Sequence, residues 1–460
     1  MTEPPDGSAR ATWPVRLAWT AFTLREIVRQ RNVPWLAPGR LAALQARRVR
    51  EIVAHAYATV PFYREAMAER GLEPRDFRSA DDLARLPLVT GADLATAPER
   101  FLSTAVADEP LLEMTTSGTT GHAKRIWWDR GAVFRARAAG VQQRRVLAEV
   151  LGSTRGRRML LAVRAGGTSD DVRAFHLAHS WLADPSYGDP PRISPEDDFA
   201  TAVAVVNRTR PDVVAGFGAY VAALYRWAHA RGVAIHAPRA LLHGGEQLPA
   251  ADAALLTDAY GVAVVSTYQA CEALRIAVQC PRGDGLHVYA DQVAVRVADE
   301  RGRTLPPGEH GQIVLSNLTN RATVLLNYAL GDRGTMATGP CACGRTLPVL
   351  ASLDGRADDL VRLPGGEVAH DSVLLSRLYA VPGVLRLQLV QEELDRFVIR
   401  VVPASRDDDA VLGERLVGAL AAALGGPAVR ATVEVADALA SDASGKFRTV
   451  VSHVRDAVPG

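Results

Sequence analysis

Apolar residues recur every three to four positions between residues 14 and 110, in stretches such as LREIVRQ, LAALQARRVREIVAHAYATV and DDLARL. This spacing places the apolar side chains on one face of a helix. Proline and glycine interrupt the pattern around VPFYREAMAERGLEP and mark breaks between helices. The chain is therefore predicted to open with a helical segment.

From about residue 110 the pattern changes to short apolar runs, such as RRMLLAVRA, DVVAGF and GVAVVSTY. These runs alternate with helical stretches such as GAYVAALYRWAHARG and PAADAALLTDAYG. The alternation is typical of strands joined by crossover helices and predicts an α/β sheet. The later stretch QVAVRVADERGRTLPPGEHGQIVLSNL predicts two strands around a polar turn, and hence a hairpin in a β-rich subdomain.

The last hundred residues follow the stretch DGRADDLVRLPGGEV and form another pattern. They predict a helix at DSVLLSRLYAV, strands at VLRLQLV and RFVIRVVPA, a helix from Ala410 to Leu424 and a final strand at TVEVA. This is a small α+β domain of ordinary size. The predicted fold class is α/β, with a large multi-subdomain region over residues 1–355 and a small mobile α+β domain over residues 356–460.

Composition narrows the class of protein without identifying a partner. The 460 residues are 48% hydrophobic and 23% charged, and 53 Lys and Arg nearly balance 51 Asp and Glu. Arginine is interspersed with acids, as in DFRSADDLARL, so neither disorder nor a nucleic-acid surface is indicated. No apolar run approaches the roughly 20 residues of a membrane span, and MTEPPDGSAR lacks the apolar core of a secretion signal. The sequence therefore predicts a cytoplasmic protein with no nucleic-acid or membrane partner.

Four cysteines in so long a chain do not form a disulfide framework. Cys280 and His287 are followed some fifty residues later by Cys341 and Cys343. Such a set would suit a tetrahedral Cys₃His zinc site, closed and therefore structural rather than catalytic. Ordinary buried thiols and a surface histidine are the alternative.

The stretch TTSGTTGHAK, residues 115 to 124, combines two glycines with five hydroxyl side chains and a lysine. Glycine lets backbone N–H groups turn toward one point, and the hydroxyls add further donors around an anion, so the composition suits a polyphosphate. Gly118, Gly121 and Lys124 are three apart and Arg125 follows the lysine, which excludes the G-x-x-x-x-G-K-[ST] loop. A surface turn rich in Ser and Thr remains the alternative on this stretch alone.

Further stretches resolve that alternative because they match one family in the same order. The chain resembles the adenylate-forming acyl-CoA synthetase superfamily, and in particular its phenylacetate–CoA ligase type. VPFYREAMAERGL and CACGRTLP are more typical of that branch, so the similarity spans nearly the whole chain. The stretches that resemble superfamily motifs are TSGTTGHAK, STYQACEA, NYALGD, DGRADDLVRL and SGKFRTV.

The resemblance implies an ATP site and assigns its residues. Glu272 would ligate Mg²⁺, Tyr268 would lie near adenine, and Asp332 would accept hydrogen bonds from both ribose hydroxyls. Arg356 would lie near the ribose or the phosphate, and Lys124 would add a point charge to the phosphates. The β- and γ-phosphates would be held by Thr116, Ser117, Gly118, Thr119, Thr120 and Gly121. Gly244, Glu246 and Cys271 complete the implied nucleotide-binding set.

Lys446 is the implied catalytic lysine of the small C-terminal domain. In this superfamily that domain closes over the ATP site to insert the lysine for adenylation, then rotates for the second half-reaction. Asp358 matches the hinge position. The rotation would replace Lys446 with the loop around Gly365 and Gly366, which could open a path for a thiol.

The implied acid-binding pocket uses residues of two stretches, GFGAYVAALYRW and LLHGGEQL. Their glycine and aromatic content would suit a planar aromatic acid. The candidate residues are Phe217, Tyr220, His243 and Gly245. Phe217 and Tyr220 could equally be core residues.

Three departures from the family pattern suggest an unusual substrate or acceptor. Cys271 stands where relatives place a threonine that donates to the α-phosphate, and a thiol is a poorer donor. Gln269 replaces a glycine beside it. The family's YRTGD is here YALGD, which retains Tyr328, Gly331 and Asp332 but loses an arginine and a threonine.

The resemblance therefore implies an enzyme that uses ATP and Mg²⁺ to convert a carboxylic acid, predicted to be aromatic, into an acyl-adenylate and then a coenzyme A thioester. The small-molecule acid is the predicted partner. A carrier-protein thiol, an amine, or nitrite in the diazotisation of an aromatic amine are alternative reactants, and a homodimer is the predicted assembly. A nucleotide-binding protein without turnover on the same fold is the non-enzymatic alternative.

Overall fold

The computed structural model describes most of the chain. The described residues are 10–106, 109–115, 124–153, 156–161, 168–182, 190–283, 285–356, 361–364, 368–369, 371–406, 408–425, 429–439 and 447–454. Side chains are described for the same residues except 356, 368 and 371–373. Within these residues no helix is both long and apolar enough to span a bilayer.

The helices confirm the predicted helical opening and the later crossover helices. Short 3₁₀ turns and a π-helical turn at Leu255–Ala259 supplement them. The α-helices of the described residues are α1 (Trp13–Asn32), α2 (Pro38–Thr59), α3 (Pro61–Glu69), α4 (Gly91–Thr96), α5 (Arg130–Leu151), α6 (Thr168–His179), α7 (Phe199–Thr209), α8 (Gly218–Ala230), α9 (Ala250–Ala254), α10 (Asp371–Tyr379) and α11 (Asp409–Ala423).

The strands include all those that the short apolar runs predict, but TVEVA is not the final strand, because β19 follows it. The strands of the described residues are β1 (Leu112–Thr115), β2 (Arg125–Trp128), β3 (Arg158–Leu161), β4 (Arg192–Ile193), β5 (Val213–Gly216), β6 (Ala240–Gly244), β7 (Ala263–Tyr268), β8 (Ala277–Gln279), β9 (Leu286–Val288), β10 (Val293–Ala298), β11 (His310–Asn317), β12 (Tyr328–Met336), β13 (Val349–Arg356), β14 (Val361–Arg362), β15 (Val368–Ala369), β16 (Val384–Glu393), β17 (Arg396–Pro403), β18 (Arg430–Val435) and β19 (Val450–Ser452).

The described residues divide into two compact units. The first takes them from Met1–Arg155, Ala165–Pro190 and Ser266–Leu353, and the second from Gly156–Arg164, Pro191–Val265 and Asp354–Gly460. The predicted division into residues 1–355 and 356–460 concerns movement between states and stays a prediction.

The first unit combines the helical opening with antiparallel strands. Helix α2 buries Val49, Ile52, Val53 and Ala56, the three-to-four spacing that lets one helix face join a core. Strands β10 and β11 pair in antiparallel register, which confirms the predicted hairpin, and β11 continues antiparallel to β12. The hydrophobic core of this unit gathers residues from α2, α3, β2 and the antiparallel strands.

The second unit contains the crossover elements and a smaller sheet. Strands β4, β3, β5 and β6 lie side by side in that order and are parallel. In the C-terminal part, strands β18, β17, β16 and β19 form a sheet in that order, with β16 and β17 antiparallel. Helix α11 begins and ends one residue before the predicted range, which is ordinary uncertainty at a helix end.

Candidate active site

Three side chains of the first unit meet at the end of the glycine-rich stretch. The Lys124 ammonium donates to Glu272 Oε1 at 2.6 Å and to the Tyr328 hydroxyl at 3.1 Å. Tyr328 in turn donates to the same Glu272 oxygen at 3.1 Å. The Glu272 and Lys124 side chains are only 6% and 16% exposed, and Tyr328 is buried. A buried ion pair of this kind is stable only when geometry and hydrogen bonds are good, as they are here.

Strand pairing holds the ends of the segment that carries Lys124. Strands β1 and β2 are antiparallel neighbours, and Thr115 faces Arg125 across the pair. Lys124 directly precedes β2, so it is attached to the end of this ladder. The predicted phosphate-binding residues between these strands, Thr116, Ser117, Gly118, Thr119, Thr120 and Gly121, lie outside the described residues.

The turn that carries Glu272 follows β7 and is held through its backbone carbonyls. The Asn317 amide donates to the Glu272 carbonyl at 3.1 Å, and the Trp128 indole donates to the Cys271 carbonyl at 3.0 Å. Both donors are buried. Satisfied buried polar groups of this kind fix the main chain, so the Glu272 carboxylate is presented from a rigid turn.

Tyr328 is the member of this cluster to which the sequence assigned no role. It follows Asn327, whose φ of 55° lies in the left-handed region that asparagine tolerates better than most residues. The Asn327 side chain donates to the Leu86 carbonyl at 2.8 Å and accepts from Arg296 at 2.7 Å. This anchored turn aims the Tyr328 ring inward. The only sequence signal for it was the retained tyrosine of NYALGD.

The charges of the cluster favour an ionised carboxylate. Burial on its own would raise the pKa of Glu272, but the Lys124 ammonium and the hydrogen bonds from Lys124 and Tyr328 outweigh it. The net result is a pKa below the usual glutamate value. A deprotonated carboxylate in a buried position can bind a metal ion or a cationic group.

A second pair of the first unit joins two residues of the predicted ATP site. The Tyr268 hydroxyl, at the end of β7, donates to Asp332 Oδ2 on β12 at 2.6 Å. Tyr268 is buried and Asp332 is half-buried. Nearby, exposed Gln269 donates to the Thr267 hydroxyl at 3.2 Å, and the Cys271 thiol is half-buried. The structure therefore brings together Tyr268 and Asp332, which lie 64 residues apart.

In the second unit, the stretch at the end of β6 carries the other predicted nucleotide-binding residues. Gly244 ends the strand and Gly245 follows with a φ of 85°, a conformation that glycine adopts without strain. The sharp turn leads to Glu246, whose Oε1 accepts from the Ala219 backbone amide at 2.8 Å. Ala219 lies in the first turn of α8, where a carboxylate is stabilised by the free N–H groups and the helix dipole.

The predicted acid-pocket residues surround the start of the same helix. Tyr220 is 3% exposed in the core of this unit and donates to the Asp197 carbonyl at 3.0 Å. Phe217 precedes α8 and is half-buried against the same core. His243 is buried beside Gly218, where a β-carbon would come within 3.2 Å of the imidazole. The packing of Tyr220 agrees with the core alternative for that residue.

The buried His243 makes stability depend on pH. Burial lowers the pKa of this imidazole from 6.5 to about 4, so the folded protein binds the proton more weakly than the unfolded chain does. The stability contributed by the neutral form is complete above pH 6.5 and is lost as pH falls toward 4. The loss between pH 7 and pH 5 is roughly 2 kcal/mol.

We expect His243→Gln to remove that part of the pH dependence. Urea unfolding of the variant and of the wild type at pH 7 and pH 5 measures the difference. The exposed His310→Gln variant serves as a control and should retain the wild-type pH dependence. An unchanged difference between the two pH values in His243→Gln would contradict the assignment.

The four predicted metal ligands converge in the first unit. The ligand atoms of Cys280, His287, Cys341 and Cys343 all lie within 4.8 Å of one another. The Cys280 and Cys341 sulfurs are 3.5 Å apart, and His287 Nε2 lies 3.2 Å from Cys343 Sγ. Separations of this size agree with four atoms around one ion at Zn–S and Zn–N distances of about 2.3 and 2.0 Å. Cys280 and His287 are buried, as a closed site requires.

Several predicted residues lie outside what the structure describes. The catalytic candidate Lys446 and the hinge candidate Asp358 belong to this group, as do Gly365 and Gly366. Arg356 ends β13, but its side chain is not among those described. Phe447, the residue after Lys446, is described and is 5% exposed.

Known proteins resemble this chain in sequence and in fold. No protein-family profile matches it. The phenylacetate–coenzyme A ligase of Thermus thermophilus is 27% identical over 361 residues, which are 75% of this chain and 77% of the relative. The phenylacetate–coenzyme A ligase of Escherichia coli is 24% identical over 347 residues, 71% of this chain and 74% of the relative.

The fold is also that of a solved structure, 2-hydroxyisobutyryl-CoA ligase in its postadenylation state. The two chains align with a TM-score of 0.69 at 20% identity, over 89% of this chain and 88% of the other. Like the sequence relatives, this structure is that of a coenzyme A ligase. The chain is an adenylate-forming enzyme, and its sequence is similar to those of phenylacetate–coenzyme A ligases.

Proposed function

We propose that this protein is an AMP-forming ligase that joins a small carboxylic acid to AMP and transfers the acyl group to coenzyme A. The observation that carries the proposal is the buried contact of Lys124 and Glu272 with Tyr328. It unites the phosphate-loop motif with two other motifs of the family.

Lysine usage supports the same conclusion. Of the 53 cationic side chains, only Lys124 and Lys446 are lysines, and all others are arginines. Both fall in the motifs to which the family assigns lysine. An ammonium is a compact charge on a flexible stem, whereas a guanidinium is a planar fork, so the two are not interchangeable at a phosphate.

In the first step the acid's carboxylate attacks the α-phosphorus of ATP and pyrophosphate leaves. Because both reactants are anions, catalysis consists mainly of positioning and of neutralising phosphate oxygens. Lys124 would exchange Glu272 for a phosphate oxygen, and the phosphate-loop residues 116–121 would supply N–H and hydroxyl donors. The Glu272 carboxylate suits Mg²⁺, which when bound supplies positive charge to the phosphates.

The remaining residues of the proposed nucleotide site bind the nucleoside. Asp332 would accept hydrogen bonds from the ribose hydroxyls while the Tyr268 hydroxyl holds its other oxygen. Tyr268, Gly244, Glu246 and Cys271 are proposed to line the nucleotide, with Arg356 near the ribose or phosphate. Lys446 would donate to the oxygen atoms that gain charge as the adenylate forms.

The acid is proposed to be aromatic, bound near Phe217, His243 and Gly245. The curated relatives named above are phenylacetate–coenzyme A ligases, and a buried neutral imidazole beside glycines suits a planar group. Tyr220 is buried in the core and would support this pocket by packing behind it rather than by contact with the acid.

A second candidate function keeps the adenylation and changes the reactant. The thiol of Cys271 and the altered YALGD motif favour this candidate, because both depart from the family pattern in the proposed nucleotide site. The acceptor would be a carrier-protein thiol or an amine, or the activated anion would be nitrite for diazotisation of an aromatic amine. A cytoplasmic location and a homodimer complete the proposal.

ATP–pyrophosphate exchange with a panel of acids tests the proposed function. We expect exchange with at least one aromatic acid such as phenylacetate and formation of its coenzyme A thioester by mass spectrometry. Exchange without a thioester would favour another acceptor, and AMP release with nitrite and an aromatic amine would favour the diazotase. ATP binding with no AMP formation under any condition would contradict an enzymatic role.

We also propose that Cys280, His287, Cys341 and Cys343 hold a structural Zn²⁺. All four ligands come from the protein, so such an ion would join the strands that carry them and take no part in catalysis. Backbone amides of Arg282 and Cys343 donate to the Cys280 and Cys341 sulfurs at 3.4 and 3.5 Å. Hydrogen bonds of this kind orient thiolate ligands and support the metal alternative over unrelated thiols.

Loss of one ligand tests the zinc proposal. We expect the wild type to contain one zinc per chain by elemental analysis after removal of any affinity tag, and Cys343→Ser to lose it. A site filled at 1,000 times its Kd contributes about 4 kcal/mol to the free energy of unfolding, which the variant would lose. Cys271→Ser is the control and should keep its zinc. A zinc-free wild type purified without chelator would contradict the proposal.

A further inference from the structure

Phe447, the residue that follows Lys446, is held from two sides within the second unit. Its backbone amide donates to Glu246 Oε2 at 3.4 Å, and the Arg386 guanidinium lies 4.0 Å from the centre of its ring. Phe447 and Arg386 are 5% and 7% exposed. A buried guanidinium over an aromatic face is a strong member of the cation–π class.

Each partner of Phe447 is itself anchored. Glu246 uses its other oxygen to accept from the Ala219 amide at the start of α8, so the carboxylate joins that helix to Phe447. Arg386 donates to the Leu439 carbonyl at 3.0 Å. These further hydrogen bonds hold the two partners in place around Phe447.

A second arginine fixes the strand that carries Arg386. Arg226 of α8 donates to the Leu385 carbonyl at 2.6 Å and forms an ion pair with Asp252. Its guanidinium also lies 4.7 Å from the centre of the Tyr379 ring. Leu385 directly precedes Arg386 in β16. These contacts therefore fix the position of the Arg386 main chain relative to α8.

We propose that Glu246, Arg386 and Phe447 form a clamp whose function is to position Lys446 for the adenylation step. This inference rests on the proposed function, in which Lys446 acts in adenylation. One peptide bond separates Lys446 from the clamped residue, and a catalytic group displaced by about 1 Å can lose on the order of 100-fold in rate. The clamp residues are positioning residues, since they act through the lysine.

The two half-reactions separate a positioning role from a structural one. With phenylacetate as the acid, we expect Arg386→Gln and Phe447→Ala to lower kcat for pyrophosphate exchange by about 10-fold to 100-fold, with the KM for ATP changed less than about 3-fold. Arg386→Lys retains the charge without the planar stack and should recover part of the rate. In the same variants, the rate of phenylacetyl transfer from synthetic phenylacetyl-adenylate to coenzyme A should change less than about 3-fold.

Matched variants make the result specific. Arg231 lies 5.0 Å from the Trp227 ring centre on an exposed surface, so Arg231→Gln removes the same kind of contact elsewhere and should retain the wild-type rate. In a Lys446→Ala background, Arg386→Gln should have no further effect, because residues that act as a unit are not additive. The proposal would be overturned if Arg386→Gln slowed both half-reactions equally. It would also be overturned if Arg386→Gln lowered the adenylation rate of Lys446→Ala further.

The presence of only two lysines permits a test that needs no turnover. Reductive ¹³C-methylation should give two lysine signals, of which Lys446→Ala identifies one. We expect Arg386→Gln to shift the Lys446 signal and leave the Lys124 signal unchanged, and Arg231→Gln to shift neither. An unshifted Lys446 signal would overturn the clamp even if the enzyme is active, whereas a wild type with no exchange for any acid would overturn the proposed function.

Discussion

Replacement of Lys446 by alanine is expected to lower the rate of adenylate formation by about 100-fold to 1,000-fold, the cost of removing one donor from a developing charge. Lys446→Arg should lose most of the rate as well. The chain uses arginine at 51 of its 53 cationic positions, so an arginine that could serve here would be the ordinary choice for this sequence. Pyrophosphate exchange at saturating ATP and acid measures the change.

The same variant should leave the second half-reaction and the fold nearly unchanged. Transfer of the acyl group from a synthetic adenylate to coenzyme A, together with the midpoint of thermal unfolding, provides the controls. An adenylation rate in Lys446→Ala that equals the wild-type rate would refute the role assigned to this lysine.

Replacement of Glu272 by alanine is expected to have two separable effects. The Lys124 side chain is 16% exposed, so loss of its carboxylate partner leaves a mostly buried charge and should cost roughly 3–5 kcal/mol in the free energy of unfolding. Adenylation should also fall, because the carboxylate proposed to bind Mg²⁺ is gone. Urea unfolding and calorimetric titration of ATP with and without Mg²⁺ measure the two effects independently of turnover.

An exposed ion pair of the same kind is the matched control. Arg125 and Glu113 are 53% and 45% exposed, so Glu113→Ala should cost less than about 1 kcal/mol. Adding Lys124→Met to Glu272→Ala should restore part of the lost stability, because it removes the uncompensated charge. A Glu272→Ala protein that is as stable as Glu113→Ala and binds MgATP normally would contradict both assignments.

Much of the fold could be predicted because it depends on local periodicity. The three-to-four spacing over α2 and the alternation over β10 and β11 depend only on neighbouring residues and the geometry of each element. The motif residues Lys124, Glu272 and Asp332 were predicted from resemblance, and the structure describes all three in the first unit.

The contacts among these residues could not be predicted from local pattern. Lys124 and Glu272 are 148 residues apart, and Lys124 and Tyr328 are 204 apart. Whether they touch depends on how β12 packs and on the left-handed turn at Asn327. A periodic pattern carries no information about which distant strand becomes a neighbour.

Sequence by itself determined the order of the main helices and strands, the resemblance to adenylate-forming enzymes, and the chemical types available to hold a nucleotide. These features follow from residue spacing and from side-chain chemistry, which are local properties. Only the tertiary structure decided that Lys124, Glu272 and Tyr328 share one buried contact and that Phe447 lies between Glu246 and Arg386. The physical reason is that burial and pairing over long separations are set by packing of the whole unit, which excludes water from some charges and leaves others exposed.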